Sequence, residues 1–123
     1  IRLLLNFQLD DQFLLTLILI GQPELRDKIR KMPQLDQRVG IRYHLDPLSL
    51  EDTTQYINRR LHQAGRDDRT FSDEAMRLIY RHSEGIPRKI NTICDLCLVM
   101  GSARNLPVIG FDLVQELTAL KGK

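Results

Sequence analysis

Apolar residues recur along the chain with two different periods, and the change falls near Pro47. Before it, the stretch from Phe13 to Ile20 is a run of strand length interrupted only by Thr16, bounded by Asp10-Asp11 and by Gly21-Gln22-Pro23. A run that is apolar on both faces suits a central parallel strand covered by helices. The following stretch, Pro23 to Met32, sets Leu25, Ile29 and Met32 on one side and predicts a helix. Pro33 then begins a short turn that ends near Val39-Gly40, and Ile41 to Leu45 alternates weakly, as a second short strand would. Ile1 to Phe7, with Leu3, Leu4 and Phe7 on one side, reads as the tail of a helix. Two strands with a helix between them make part of an α/β layer.

After Pro47 the period becomes helical. Ser49 is placed to cap a helix, with Asp52 at its third position and Leu50, Thr54, Ile57 and Leu61 facing inward until Gly65 stops it. Ser72 caps the next, with Phe71 positioned to staple onto Met76 and Asp73 and Glu74 in the first turn. A third helix starts at Pro87 and carries the stripe Ile86, Ile90, Ile93, Cys94, Cys97 and Met100. Leu106-Pro107-Val108-Ile109 connects it to a fourth helix after Gly110. There Asp112 and Gln115 could box the start, and Val114, Leu117 and Leu120 form the buried side. The fold class expected is therefore an α/β piece, a partial parallel-sheet αβα layer over residues 1–46, followed by an all-α lid of four short helices over residues 47–123.

Composition narrows the function. Eighteen basic residues against sixteen acidic ones give a net charge of +2, with the signs interleaved, so no basic stripe announces nucleic acid. The Phe13–Ile20 run is too short to span a bilayer, no charged leader precedes a cleavable segment, and the chain reads as soluble and intracellular, with no membrane segment. Cys94 and Cys97 have the spacing of half a zinc site or of a redox pair, but His44, His62 and His82 are scattered and form no second cluster. The helical stripe absorbs both thiols into a buried face, so core packing is the expected role and no metal site is assigned.

The segment Gly85-Ile86-Pro87-Arg88-Lys89-Ile90-Asn91 carries the chemistry. It places an arginine in the opening turn of an apolar helix, where unpaired N–H groups and a partial positive charge already favour an anion. A guanidinium there adds a forked, permanently charged donor that suits a nucleotide phosphate. The same residues also serve an ordinary turn, with Gly85 ending one helix, Pro87 starting the next and Arg88 solvated.

Four segments, in order, resemble AAA+ ATPases: Leu17-Ile18-Leu19-Ile20-Gly21-Gln22-Pro23-Glu24-Leu25, Leu35-Asp36-Gln37-Arg38-Val39, Tyr43-His44-Leu45-Asp46-Pro47-Leu48-Ser49, and the segment from Gly85 to Asn91. The likeness spans nearly the whole chain and is greatest to the C-terminal half of the secretion-associated group of the general secretion pathway protein A type. It implies that Gln22 is a sensor 1 residue orienting the attacking water, against the alternative of a turn amide capping the Pro23 helix. It implies that Arg38 is an arginine finger reaching a neighbouring subunit's nucleotide, with Arg42 as a competing candidate and a local pair with Asp36 as the alternative. Arg88 matches sensor 2 and, with Pro87, would meet the nucleotide from the lid. The resemblance further implies ATP and Mg²⁺ as cofactors of a longer parent, a homo-oligomer, and secretion-machinery proteins as partners. Its implied place is the cytoplasm, with the parent chain able to bring it to the inner face of the bacterial inner membrane.

One departure limits the likeness. The chain has no Gly-x-x-x-x-Gly-Lys-Ser/Thr loop and no apolar strand ending in paired acids to hold Mg²⁺. It is expected to be a fragment, inactive and without tight ATP binding by itself. Two other readings stand beside the secretion ATPase: a DNA-linked AAA+ relative serving transposition or replication, and a non-catalytic helical adaptor.

Overall fold

The computed structural model describes residues 8–9, 12–13 and 16–120. The chain divides into two compact units, Ile1–His44 and Leu45–Lys123. The expected helical tail over Ile1 to Phe7 lies outside the described residues, as do Leu14 and Leu15 of the apolar run.

The first unit corrects the expected sheet. Among the described residues the only strands are β1 (Gln8–Leu9) and β2 (Gln12–Phe13), two residues each and antiparallel, pairing Gln8 with Phe13 and Leu9 with Gln12. No parallel-sheet αβα layer forms among the described residues. Residues 16–20 and 41–45, read as strands from their apolar content, run without a ladder. The reason is physical. A strand's backbone groups bond only to another strand, so an apolar run without such a neighbour has nothing to fix it. The side chains show the same thing: Ile18 is 75% exposed, Ile20 87%, Ile41 89% and Tyr43 85%. Between them lie α1 (Glu24–Arg30) and the single turn α2 (Pro33–Asp36), close to the expected helix and turn, and neither contains a fully buried residue.

The second unit is all helical: α3 (Leu50–Gln63), α4 (Asp73–Ser83), α5 (Pro87–Ala103) and α6 (Phe111–Leu120). The starts follow the sequence signals. Ser49 Oγ accepts the Asp52 N–H at 3.1 Å, Ser72 Oγ accepts the Ala75 N–H at 3.2 Å, and Pro87 opens α5. Gly65, at φ 81°, follows the last turn of α3 in the left-handed region a glycine enters without strain.

The apolar stripes of these helices meet in one core. Ile57 of α3, Ala75, Met76, Leu78 and Ile79 of α4, Ile90, Ile93, Cys94 and Cys97 of α5, and Leu113 and Val114 of α6 are all buried. Phe71 and Ile109 close the core at its edge through an isolated parallel bridge. The Ser72 N–H donates to Ile109 O at 2.9 Å, and the Ile109 N–H donates to Thr70 O at 2.8 Å. The connector before α6 is thus stitched to the entry of α4. Two expected inward positions turn out otherwise. Leu50 is 38% exposed and Leu120 69%, since each lies in a terminal turn beyond the reach of the facing helices. On α3 the buried place is taken by Thr53, whose hydroxyl is enclosed without a hydrogen-bond partner among the described residues. No helix among the described residues is long and apolar enough to cross a membrane.

Candidate functional site

The start of α5 is built by the chain reversal that precedes it. Helix α4 ends at Ser83, and Glu84 caps it at φ 54°, its N–H donating to Tyr80 O at 2.8 Å. Gly85 follows at φ 71°. Two consecutive left-handed residues turn the chain sharply, and the Ile86 N–H closes the turn on Ser83 O at 3.0 Å. Pro87 occupies the first helical position, where its missing N–H costs no intrahelical bond and its fixed φ already matches the helix. The first N–H of α5 to find a helical acceptor is that of Ile90, on Ile86 O at 3.0 Å. Ile86 supplies no side-chain cap, so the amides of Arg88 and Lys89 stay open at the end of a 17-residue helix.

Arg88 projects from this turn. It is exposed, and its guanidinium makes no hydrogen bond or ion pair among the described residues; only its carbonyl is used, accepting from Thr92 Oγ1 at 2.9 Å. The neighbouring Lys89 behaves differently, pairing with Glu84 at 2.6 Å. That hydrogen bond, with the ammonium's charge, holds the Glu84 carboxyl below its usual range. The one acidic group of the turn is thus offset by Lys89, and Arg88 has no such pair among the described residues.

Two contacts from elsewhere in the unit hold this turn. The Leu48 N–H donates to Gly85 O at 2.9 Å, and a β-carbon at position 85 would stand 2.0 Å from Leu48 O. One turn beyond Arg88, Asn91 Oδ1 accepts the Tyr56 hydroxyl proton at 3.0 Å. Arg60 donates to the same hydroxyl oxygen at 3.1 Å and lies 5.8 Å from the centre of the tyrosine ring. Sequence reading missed Leu48, Tyr56 and Asn91 in these roles. A lone asparagine between Ile90 and Ile93 was the available signal, since a half-buried amide in an apolar stripe needs a partner.

The other candidates lie in the first unit. Gln22 is exposed, and it is its backbone carbonyl that accepts the Leu25 N–H at 2.8 Å; no side chain caps α1. A depression of about 410 Å³ is lined by Gly21, Gln22, Glu24, Leu25 and Lys28. Arg38 is exposed just after α2, its N–H on Leu35 O at 3.0 Å. Arg42 donates to both Asp36 Oδ1 at 2.8 Å and Asp36 O at 2.9 Å, which pins the following loop to α2. Gln22 and Arg38 therefore belong to one compact unit, and Pro87 and Arg88 to the other.

The cysteine pair is core. Both thiols are free and buried, and burial pushes Cys94 up to about 12 and Cys97 up to about 11, which disfavours the thiolate form. No group of three His, Cys, Asp or Glu side chains among the described residues could hold a metal ion.

The sequence is similar to general secretion pathway protein A of Aeromonas hydrophila, at 45% identity over 106 residues covering 85% of this chain and 19% of that protein. It is also similar to an uncharacterised HTH-type transcriptional regulator of Methanocaldococcus jannaschii, at 31% identity over 101 residues, 78% of this chain and 25% of that protein. The chain is thus homologous to a segment of general secretion pathway protein A, and it spans a quarter or less of the length of the curated relatives it matches. No protein-family model matches it, and no solved structure matches it significantly.

Proposed function

We propose that this chain is the sensor and lid portion of an AAA+ ATPase that supports secretion or the assembly of a surface structure, coupling ATP hydrolysis in a longer parent protein to conformational change. The observation that carries the reading is Arg88, an exposed guanidinium without a partner among the described residues, set beside open helix amides in a turn shaped by Gly85 and Pro87. A guanidinium donating to a phosphate oxygen there, with the Arg88 and Lys89 amides behind it, would sense the nucleotide from the lid. The similarity to general secretion pathway protein A supports the secretion context.

In this reading Gln22 orients the attacking water. Arg38 reaches the nucleotide of a neighbouring copy in a homo-oligomer and offsets charge developing in the transition state, a task worth about 10³ to 10⁵ in rate in GTPases. ATP and Mg²⁺ would be held by parent residues outside this chain, which supplies neither a phosphate-cradling loop nor a metal cluster among its described residues. When bound, the nucleotide supplies the transferable phosphoryl group. Replacing Arg88 by Ala in the parent is expected to lower ATP turnover by about tenfold to a hundredfold, the size of a lost charge-assisted bond. Unchanged turnover overturns the proposal.

A second reading rests on the other relative, named as an HTH-type transcriptional regulator, and makes the parent a DNA-linked ATPase. It requires that the parent bind duplex DNA with an affinity that falls steeply as salt rises.

A further inference from the structure

We propose that Tyr56, acting through Asn91, is a positioning residue that fixes the rotation of the first turn of α5 and with it the direction of Arg88. Three observations lead there. The hydroxyl of Tyr56 is part-buried and fully used: it donates to Asn91 Oδ1 at 3.0 Å and accepts from Arg60 Nη1 at 3.1 Å. The contact joins residues 35 apart in sequence and crosses from α3 to α5. The second hold, Leu48 on Gly85 at 2.9 Å, sits on the other side of Arg88, so the segment from Gly85 to Asn91 is gripped at both ends by one continuous stretch, from Leu48 to Tyr56. Between the two grips the buried Ile90 roots the turn in the core, while Arg88 points outward.

The physical consequence is a coupling. A helix turn held at one point swivels about it, whereas two holds either side of a side chain fix the direction in which it leaves the helix. A load on Arg88 is then shared by Asn91, held by Tyr56 of α3, and by Gly85, held by Leu48 just before α3. Arg60 makes the junction stiffer, because its guanidinium both donates to the hydroxyl and covers the ring, 5.8 Å from the ring centre. Tyr56 touches no reacting atom in this scheme; it acts through Asn91.

The assignment of a nucleotide to Arg88 rests on the function proposed above, and the test separates the two. The first measurement is amide hydrogen exchange in this chain, comparing wild type with Tyr56→Phe. The variant keeps the ring and its packing and removes the hydroxyl alone. Exchange at the Ile90 and Asn91 amides is expected to quicken by about two- to tenfold, the scale of one lost hydrogen bond, with α4 unchanged. Asn91→Ala should reproduce the change, and Asn91→Asp, which keeps an acceptor, should restore protection. Unchanged exchange at Ile90, or an equal rise across α4 and α5, overturns the proposal.

The second measurement uses the full-length parent. Tyr56→Phe should raise KM for ATP by about two- to tenfold in the presence of Arg88 and have no effect in an Arg88→Ala background, because the hydroxyl works only through that side chain. Effects that multiply independently overturn it. If Arg88→Ala leaves turnover unchanged while exchange responds as expected, the grip on α5 stands and the nucleotide reading fails.

Discussion

The two compact units have comparable apolar sequences and opposite outcomes. In the unit from Leu45 onward every helix hides its stripe against another, and Ala75, Ile79, Ile90, Cys97 and Val114 are sealed from solvent. In the unit before it, Ile18, Ile20, Ile41 and Tyr43 stand in solvent, and neither α1 nor α2 buries a residue completely. The difference lies in where each element finds its hydrogen bonds. A helix satisfies its own backbone and needs neighbours only for its stripe, so four short ones can complete one another. An extended run needs another strand before its apolar side chains have any face to cover.

The sharpest way to break this contrast is to attack the turn on which α4 and α5 hinge. Gly85→Ala would force a side chain into the left-handed region at φ 71° and set its β-carbon 2.0 Å from Leu48 O, backbone that cannot swing aside. A loss on the order of 3 kcal/mol or more is expected in urea-induced unfolding. A near-neutral result would show that the Leu48–Gly85 contact is not a fixed part of the helical unit. Next in size, Ile79→Ala in the middle of the core should cost about 2–5 kcal/mol in the same measurement.

The cysteines give a pH-dependent version. Burial raises the Cys94 thiol from 9.0 to about 12, so the folded chain holds its proton after the unfolded chain has released it. The resulting stabilisation is full below pH 9 and disappears as pH climbs from 9 towards 12. Unfolding midpoints followed across that range should fall in wild type and fall less in Cys94→Ala. The smallest effect belongs to the other unit: Ile41→Ala, at a position 89% exposed, should shift stability by less than about 0.5 kcal/mol. A core-sized loss there would mean that the first unit is covered in solution.

Much of the helical unit could be read directly. Ser49, Ser72 and Pro87 mark helix starts through local chemistry, and Gly65 and Gly85 follow helix ends, because caps and left-handed turns depend on a few adjacent residues. Burial at helix ends was not legible. Leu50 and Leu120 keep the right period but lie where no facing helix extends, and period carries no information on where a neighbour stops. The expected strands failed for a related reason, since the run around Ile18 has apolar content without specifying a strand beside it. For the candidate site, the open turn bearing Arg88 was visible in Gly85-Ile86-Pro87-Arg88. Its supports were not, because Leu48 and Tyr56 are distant in sequence and reach it only in the folded unit, Leu48 by a backbone bond to Gly85 and Tyr56 across the packing of α3 on α5.

The stitch between Thr70, Ser72 and Ile109 makes the neighbouring surface replaceable. Leu106 is fastened to Gly101 on one side, at 2.9 Å, and Ile109 to the entry of α4 on the other, so Pro107 and Val108 form an exposed span anchored at both margins. Loop tips of this sort accept foreign sequence without disturbing what they connect. A reporter peptide grafted between Pro107 and Val108 would give a handle for following the helical unit inside a larger assembly, beyond the far end of α5, whose rise from Arg88 to Ala103 is about 22 Å.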